Sequence, residues 1–294
     1  MNPLELVKLT ALMQRTSGRS EIVIALIDGP VLMDRPDLWT SNVRHLGTQL
    51  PATCAQPTSG ACMHGTFVAG VLSAKRGSPA PAICPDCTLL VRAVFSEKSN
   101  RNGQMPSATP PELAAAILDA VNAGARVINL SLSVVDSSPR GQQQLEAVLS
   151  YAATRAAIVV AAAGNQGEVG GSVLSRHPWV ISVAGCDLQR RPTGESNLGG
   201  SIGRFGLSAP AQNITSLGPN GTPETFSGTS AAAPFVSGTV ALLWSEFPTA
   251  TASAVKLAVT GVGPQSRRTV VPPLLDAWSA YQGLAATYTG RKAS

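Results

Sequence analysis

The sequence is poor in aromatic residues and in charge. Of its 294 residues, aromatics make up 4% and charged side chains 13%. That shortage excludes an aromatic-rich binding module. The net charge of +5 invites a nucleic-acid reading, but the cations fall in scattered doublets: Lys75-Arg76, Arg190-Arg191, Arg267-Arg268 and Arg291-Lys292. No basic run interleaves with aromatics, so these are solvated surface charges and no nucleic-acid partner is expected. No apolar stretch approaches the roughly 20 residues of a membrane span. The opening Met1–Leu9 has neither the basic start nor the unbroken apolar run of a secretory signal. The expectation is a soluble cytoplasmic chain. Histidine is scarce too: His45, His64 and His177 are the three candidates for a base working near neutral pH.

Hydrophobic residues make up 44% of the chain, much of it alanine, and 28 glycines accompany them. This suits closely approaching strands and helices. Ile22–Ile27, Leu89–Phe95, Val127–Leu132, Ala157–Ala163 and Trp179–Ala184 read as short buried strands. Helical spacing occurs within 3–16, His64–Ala74, Glu112–Ala123, Gln142–Ala156, Ser230–Ser245 and Ala252–Thr260. The alternation predicts an α/β fold, doubly wound, with a mostly parallel sheet and helices on both faces. One domain over 1–294 is expected, with an N-terminal helix in 1–20 and a tail over 281–294. The Gly/Pro/Ser-rich stretches 76–86, 96–111 and 192–223 read as surface loops.

Four residues carry candidate chemistry. Asp28 ends a buried strand, at the carboxyl edge where open parallel sheets collect functional groups. His64 opens His64-Gly65-Thr66 at the head of a helical stretch. Asn165 closes the run Ala161-Ala162-Ala163-Gly164-Asn165. Ser230 lies in Gly228-Thr229-Ser230-Ala231-Ala232-Ala233-Pro234, at the predicted start of a long helix. Singly, each has a bland role: a turn acid, a structural histidine, a strand-closing amide and a helix cap. Together they supply what acyl transfer needs, namely an alcohol, a base, a carboxylate to orient the base, and oxyanion donors. The glycines of 199–206 have the wrong spacing for a dinucleotide loop.

The order Asp…His…Asn…Ser, with Ile24–Gly29, His64–Thr66, Ala162–Asn165 and Gly228–Pro234, resembles the subtilisin family of serine proteases over roughly residues 20–280. The resemblance implies Ser230 as nucleophile, His64 as general base and then acid, Asp28 as the orienting carboxylate, and Asn165 in the oxyanion hole. It implies a peptide or precursor-protein substrate laid along Ser131, Leu132 and Ser133, with Gly164 and Ser172 near the pocket for the residue preceding the scissile bond. It requires no cofactor for the chemistry, and many relatives bind structural calcium. Asp28-Gly29-Pro30 is similar to subtilases that mature ribosomally made peptides, particularly those of cyanobactin-type pathways. The compact interval from Asp28 to His64 favours hydrolysis over cyclisation, and the early position of Asp28 leaves no room for a long inhibitory prodomain. The alternatives are a general degradative subtilase and a catalytically silent peptide-binding fold.

Five cysteines remain. Cys54, Cys62, Cys84 and Cys87 flank the segment around His64. They are open to three readings: disulfides Cys54–Cys62 and Cys84–Cys87, a four-thiolate zinc site, or reduced thiols. Cys186 reads as a small core residue.

Overall fold

The computed structural model describes residues 2–38, 40–47, 50–97, 107–134, 138–261 and 268–288. Its strands in chain order are β1 Val23–Asp28, β2 Val43–His45, β3 Thr88–Ala93, β4 Ser107–Ala108, β5 Val127–Leu130, β6 Ser133–Val134, β7 Ile158–Ala162, β8 Val180–Cys186, β9 Leu207–Pro210, β10 Ile214–Leu217 and β11 Pro223–Phe226. Seven of them form one sheet in the order β2-β3-β1-β5-β7-β8-β9, and every pairing in it is parallel. Their runs of apolar residues follow from burial on both faces. Ile24 and Leu26 point into one core cluster, whereas Ala25 and Ile27 point into the other, as the two-residue period of a strand requires.

The helices are α1 Pro3–Leu6, α2 Leu9–Arg15, α3 Gly60–Ser73, α4 Pro110–Asn122, α5 Pro139–Thr154, α6 Val173–Arg176, α7 Gly200–Phe205, α8 Thr229–Glu246, α9 Ala252–Thr260 and α10 Ala277–Tyr288. One face of the sheet packs against α3, α8, α9 and α10, the other against α4, α5 and α6. The result is the doubly wound arrangement expected from the alternating pattern. Thr229–Ser245 is buried throughout, so α8 is the central helix of the first layer.

Several boundaries differ from the sequence reading. The N-terminal helix is broken: Lys8 adopts φ 53° between α1 and α2, held by its 2.6 Å ion pair to Asp276 and by the Ala277 N–H to Val7 carbonyl bond. Helix α3 starts at Gly60 rather than His64, because Ser59 caps it by accepting from the Cys62 N–H. The stretch 192–223 is more than a loop, for it holds α7, β9 and β10. Pro210 concealed β9, but β9 is an edge strand, where a missing N–H is tolerated. The first part of the expected tail, up to Tyr288, belongs to α10, and its remainder lies outside the described residues. Among the described residues, no helix is long and apolar enough to cross a membrane.

Candidate active site

Asp28 is the last residue of β1, and its neighbours in the sheet are β3 and β5. Helix α3 brings His64 to it. The approach is close enough to dictate sequence: a Cβ on Gly29 would stand 2.0 Å from the Ala61 carbonyl oxygen, and one on Gly65 would stand 2.5 Å from that of Pro30. Backbone therefore packs on backbone, and no side chain fits at either position. Asp28 is 0% exposed and His64 2%. Asp28 Oδ1 accepts from the Gly29 N–H at 2.6 Å and lies 2.7 Å from His64 Nδ1. A carboxylate only accepts, so Nδ1 carries a proton, and in the neutral imidazole this leaves the lone pair on Nε2. His64 Nε2 and Asp28 Oδ2 are buried without a hydrogen-bond partner among the described residues.

Ser230 is the second residue of α8, in a first turn where the Ala231 N–H donates to the Gly228 carbonyl at 3.1 Å. Gly228 at φ 118° precedes it, with no side-chain cap. Ser230 is 6% exposed. Its carbonyl would normally accept from the residue four positions on, but that residue is Pro234, which has no N–H. Ser131 Oγ supplies the bond instead, at 2.9 Å. Asn129 Nδ2 donates to Ser131 Oγ at 2.9 Å, and Ser237 Oγ donates to Asn129 Oδ1 at 2.7 Å. This buried chain ties the start of α8 to the end of β5. Ile27 is in register with Leu130, the last residue of β5, and Ser131 follows Leu130 directly as Asp28 follows Ile27. One residue thus links the Ser230 backbone to the strand next to Asp28.

Asn165 follows β7. Its Oδ1 accepts from the Thr229 N–H at 2.8 Å and from Thr229 Oγ1 at 2.9 Å. Because a backbone N–H must donate, the amide is oriented with Nδ2 as its remaining donor. Gly164, at φ 105°, donates its N–H to Thr229 Oγ1 at 3.2 Å. What the arrangement offers is an oriented imidazole, a helix N-terminus carrying a serine, and an amide donor locked beside that serine.

The other expected positions are placed as follows. The Ser131 hydroxyl is taken up inside the protein and is not available to a ligand. Leu132 is buried. Ser133 pairs with Ser107 in the short parallel β4–β6 ladder. Ser172 caps α6 by accepting from the Ser175 N–H, and it also lines a cavity. Asn129, Thr229 and Ser237 were missed by the sequence reading. The signal that could have found the network was Pro234, four residues after a candidate nucleophile.

Cys54 and Cys62 form a disulfide with an S–S distance of 2.05 Å, two residues before His64. Cys84 and Cys87 are free and buried, which corrects the expected second bridge. They hydrogen-bond to each other: burial pushes the Cys84 thiol well up, and the bond from Cys84 lowers that of Cys87. The four-thiolate zinc reading fails because Cys54 and Cys62 are bonded together. Among the described residues, the one group of metal-ligating side chains is Cys54, Cys62 and Glu97. The Glu97 carboxylate already accepts from the Ala55 and Gln56 N–H groups, so this cluster suits neither zinc nor calcium.

The parallel sheet thus carries a buried Asp–His pair at the end of β1, and the helix bearing Ser230 is tied by Ser131 to the end of the adjacent β5. Residues 19–261 match the sequence model of the Subtilase family, and the chain belongs to that family. It is 30% identical over 255 residues to Subtilisin amylosacchariticus of Bacillus subtilis subsp. amylosacchariticus, covering 85% of this chain and 62% of the relative. The chain therefore spans less than two thirds of the length of that curated relative. Among solved structures, a mutant of the protease domain of PatA has a TM-score of 0.80 at 29% identity, over 92% of this chain and 97% of that one. The prenylagaramide maturation protease PagA has a TM-score of 0.79 at 27% identity, over 94% of this chain and 98% of that one.

Proposed function

We propose that the chain is a serine endopeptidase that cleaves a ribosomally made precursor peptide. Ser230 Oγ attacks the scissile carbonyl, and His64 Nε2 takes its proton and later returns it to the leaving amine. Asp28 holds the imidazole by Nδ1 and stabilises its charged form. Asn165 Nδ2 and the Ser230 N–H receive the oxyanion. The backbone of 131–133 pairs with the extended substrate. The observation that carries the reading is the buried 2.7 Å Asp28–His64 contact, which fixes the tautomer a general base requires. The maturation role is supported by similarity to PatA and PagA, the latter described as a maturation protease. Disulfides are rare in the cytosol, so Cys54–Cys62 weighs against the cytoplasmic location expected from the N-terminus.

Labelling with a fluorophosphonate tests the chemistry: Ser230 should be modified, and S230A should not react. Mass spectrometry of a digested peptide library tests the role. A single dominant motif supports maturation, while scattered cuts point to general degradation.

A further inference from the structure

The loop 52–59 lies between the two elements that carry Asp28 and His64. The chain just past Asp28 pairs with it, Val31 against Thr53. The Val31 N–H donates to the Ala52 carbonyl at 2.9 Å, and the Cys54 N–H donates to the Val31 carbonyl at 3.3 Å. Cys54 Sγ lies 3.5 Å from the Pro30 carbonyl oxygen. The bond to Cys62 then joins this segment to α3, two residues ahead of His64. Two residues beyond His64, the buried Thr66 accepts from the Leu32 N–H at 2.9 Å. Its Oγ1 stands 3.8 and 3.9 Å from the two sulfurs. The disulfide is therefore the covalent member of a brace between the chain that follows Asp28 and the helix that carries His64.

The loop has a second anchor that involves no sulfur. The Glu97 carboxylate accepts from the Ala55 and Gln56 N–H groups and from the Ser59 hydroxyl, and Ser59 caps α3. Breaking the S–S bond therefore leaves the loop in place and the helix capped. What it releases is the tie across the Asp28–His64 pair, leaving the Leu32–Thr66 hydrogen bond there. At Gly29 and Gly65 the contact is backbone on backbone, so no side chain keys α3 to the end of β1 at those points. The two sulfurs are unequally protected: Cys62 is 0% exposed, whereas Cys54 is half-buried.

We infer that Cys54–Cys62 is a redox switch that sets how firmly His64 is held against Asp28, and through it the reactivity of Ser230. This deepens the proteolytic reading and rests on it. A dithiol reductant throws the switch from the accessible side. One of its thiolates attacks Cys54 Sγ, and Cys62 Sγ leaves and takes a proton. The second thiolate then displaces Cys54 Sγ, which takes the other proton, and the reductant ends as a disulfide. A reducing compartment holds the protein in the slow form, and a disulfide oxidant that accepts the two electrons returns it to the fast one.

Fluorophosphonate labelling and proton NMR test this together, at a temperature where circular dichroism shows the reduced protein folded. Dithiothreitol should slow labelling of Ser230 about 10-fold or more, since a ~1 Å misplacement can cost ~10²-fold, and reoxidation should restore the rate. C54S/C62S should label slowly with or without reductant, while C84S/C87S should respond as the parent does. The downfield resonance of the His64 Nδ1 proton, identified by its absence in H64A, should broaden on reduction. A bond that only stabilised the fold would leave that resonance unchanged. Equal labelling rates in the oxidised and reduced parent, or an unchanged resonance, overturn the inference. If neither form labels, the proteolytic reading fails, and the resonance by itself still decides whether the bond holds His64.

Discussion

Ser131 Oγ donates to the Ser230 carbonyl oxygen at 2.9 Å, filling a place that Pro234 leaves open in the helix. The proline removes the helical donor, the serine just past the end of β5 replaces it, and the replacement anchors the proposed nucleophile to the sheet. S131A should leave that buried carbonyl unpaired, costing about 1–3 kcal/mol of stability. It should also lower kcat more than it raises KM, because the bond positions Ser230 rather than substrate. P234A restores a backbone N–H four residues after Ser230. The double variant S131A/P234A should therefore recover part of both losses, and urea unfolding with a double-mutant cycle measures the coupling. Strict additivity would refute the exchange of donors.

Asn165 is expected to act through its remaining amide donor. In subtilisin, loss of one such asparagine donor costs roughly 10²–10³ in turnover, and N165A should lose a similar factor here. Steady-state kinetics on a cleaved peptide reads this directly, with KM changing little. The Thr229 N–H and hydroxyl would lose their acceptor as well, so circular dichroism should accompany the measurement. An unchanged kcat in a folded N165A would remove Asn165 from the oxyanion site.

The outlines of the candidate site were legible in the sequence because the proposed chemistry demands rare residues in distinctive local settings. Asp28 ends an apolar run, and Ser230 sits in a stretch too small-sided to be ordinary core. The sheet was legible too, since strands buried on both faces must be apolar throughout. What could not be read depends on contacts distant in sequence. Pro210 concealed an edge strand because edge position is a tertiary property. Lys8 breaks the first helix through a partner 268 residues away. Asn129 reads as a polar intrusion in a strand until Ser237 and Ser131 are seen on either side of it. The cysteine spacing allowed several pairings, and only the packing of the loop against α3 selects Cys54–Cys62.

That bridge closes a short loop, with a sequence separation of 8, and the chain-entropy account assigns such a loop about 2–3 kcal/mol. Mild reductant should lower Tm, and C54S/C62S should show the same lower Tm with no further response. Alkylation after unfolding should count one disulfide and three thiols. A response to reductant that persists in C54S/C62S and vanishes in C84S/C87S would reverse the assignment.

Cys186 gives the protein a predictable weakness at high pH. Burial, with Asp187 beside it, pushes this thiol from 9.0 up to about 11. The folded state therefore holds its proton more tightly than the unfolded chain does. Below pH 9 both states are protonated and the group contributes no pH dependence. Between about pH 9 and 11 the unfolded state ionises while the folded state does not, so stability falls as pH rises. Subtracting the urea-unfolding free energies of C186A from those of the parent across that window should isolate the decline, whatever the alanine costs at neutral pH. The same proton retention makes the native thiolate scarce, roughly one part in a thousand at pH 8, so Cys186 should resist alkylation until the chain unfolds. Rapid native labelling, or parallel pH curves for the two proteins, would show that the thiol is not buried as described.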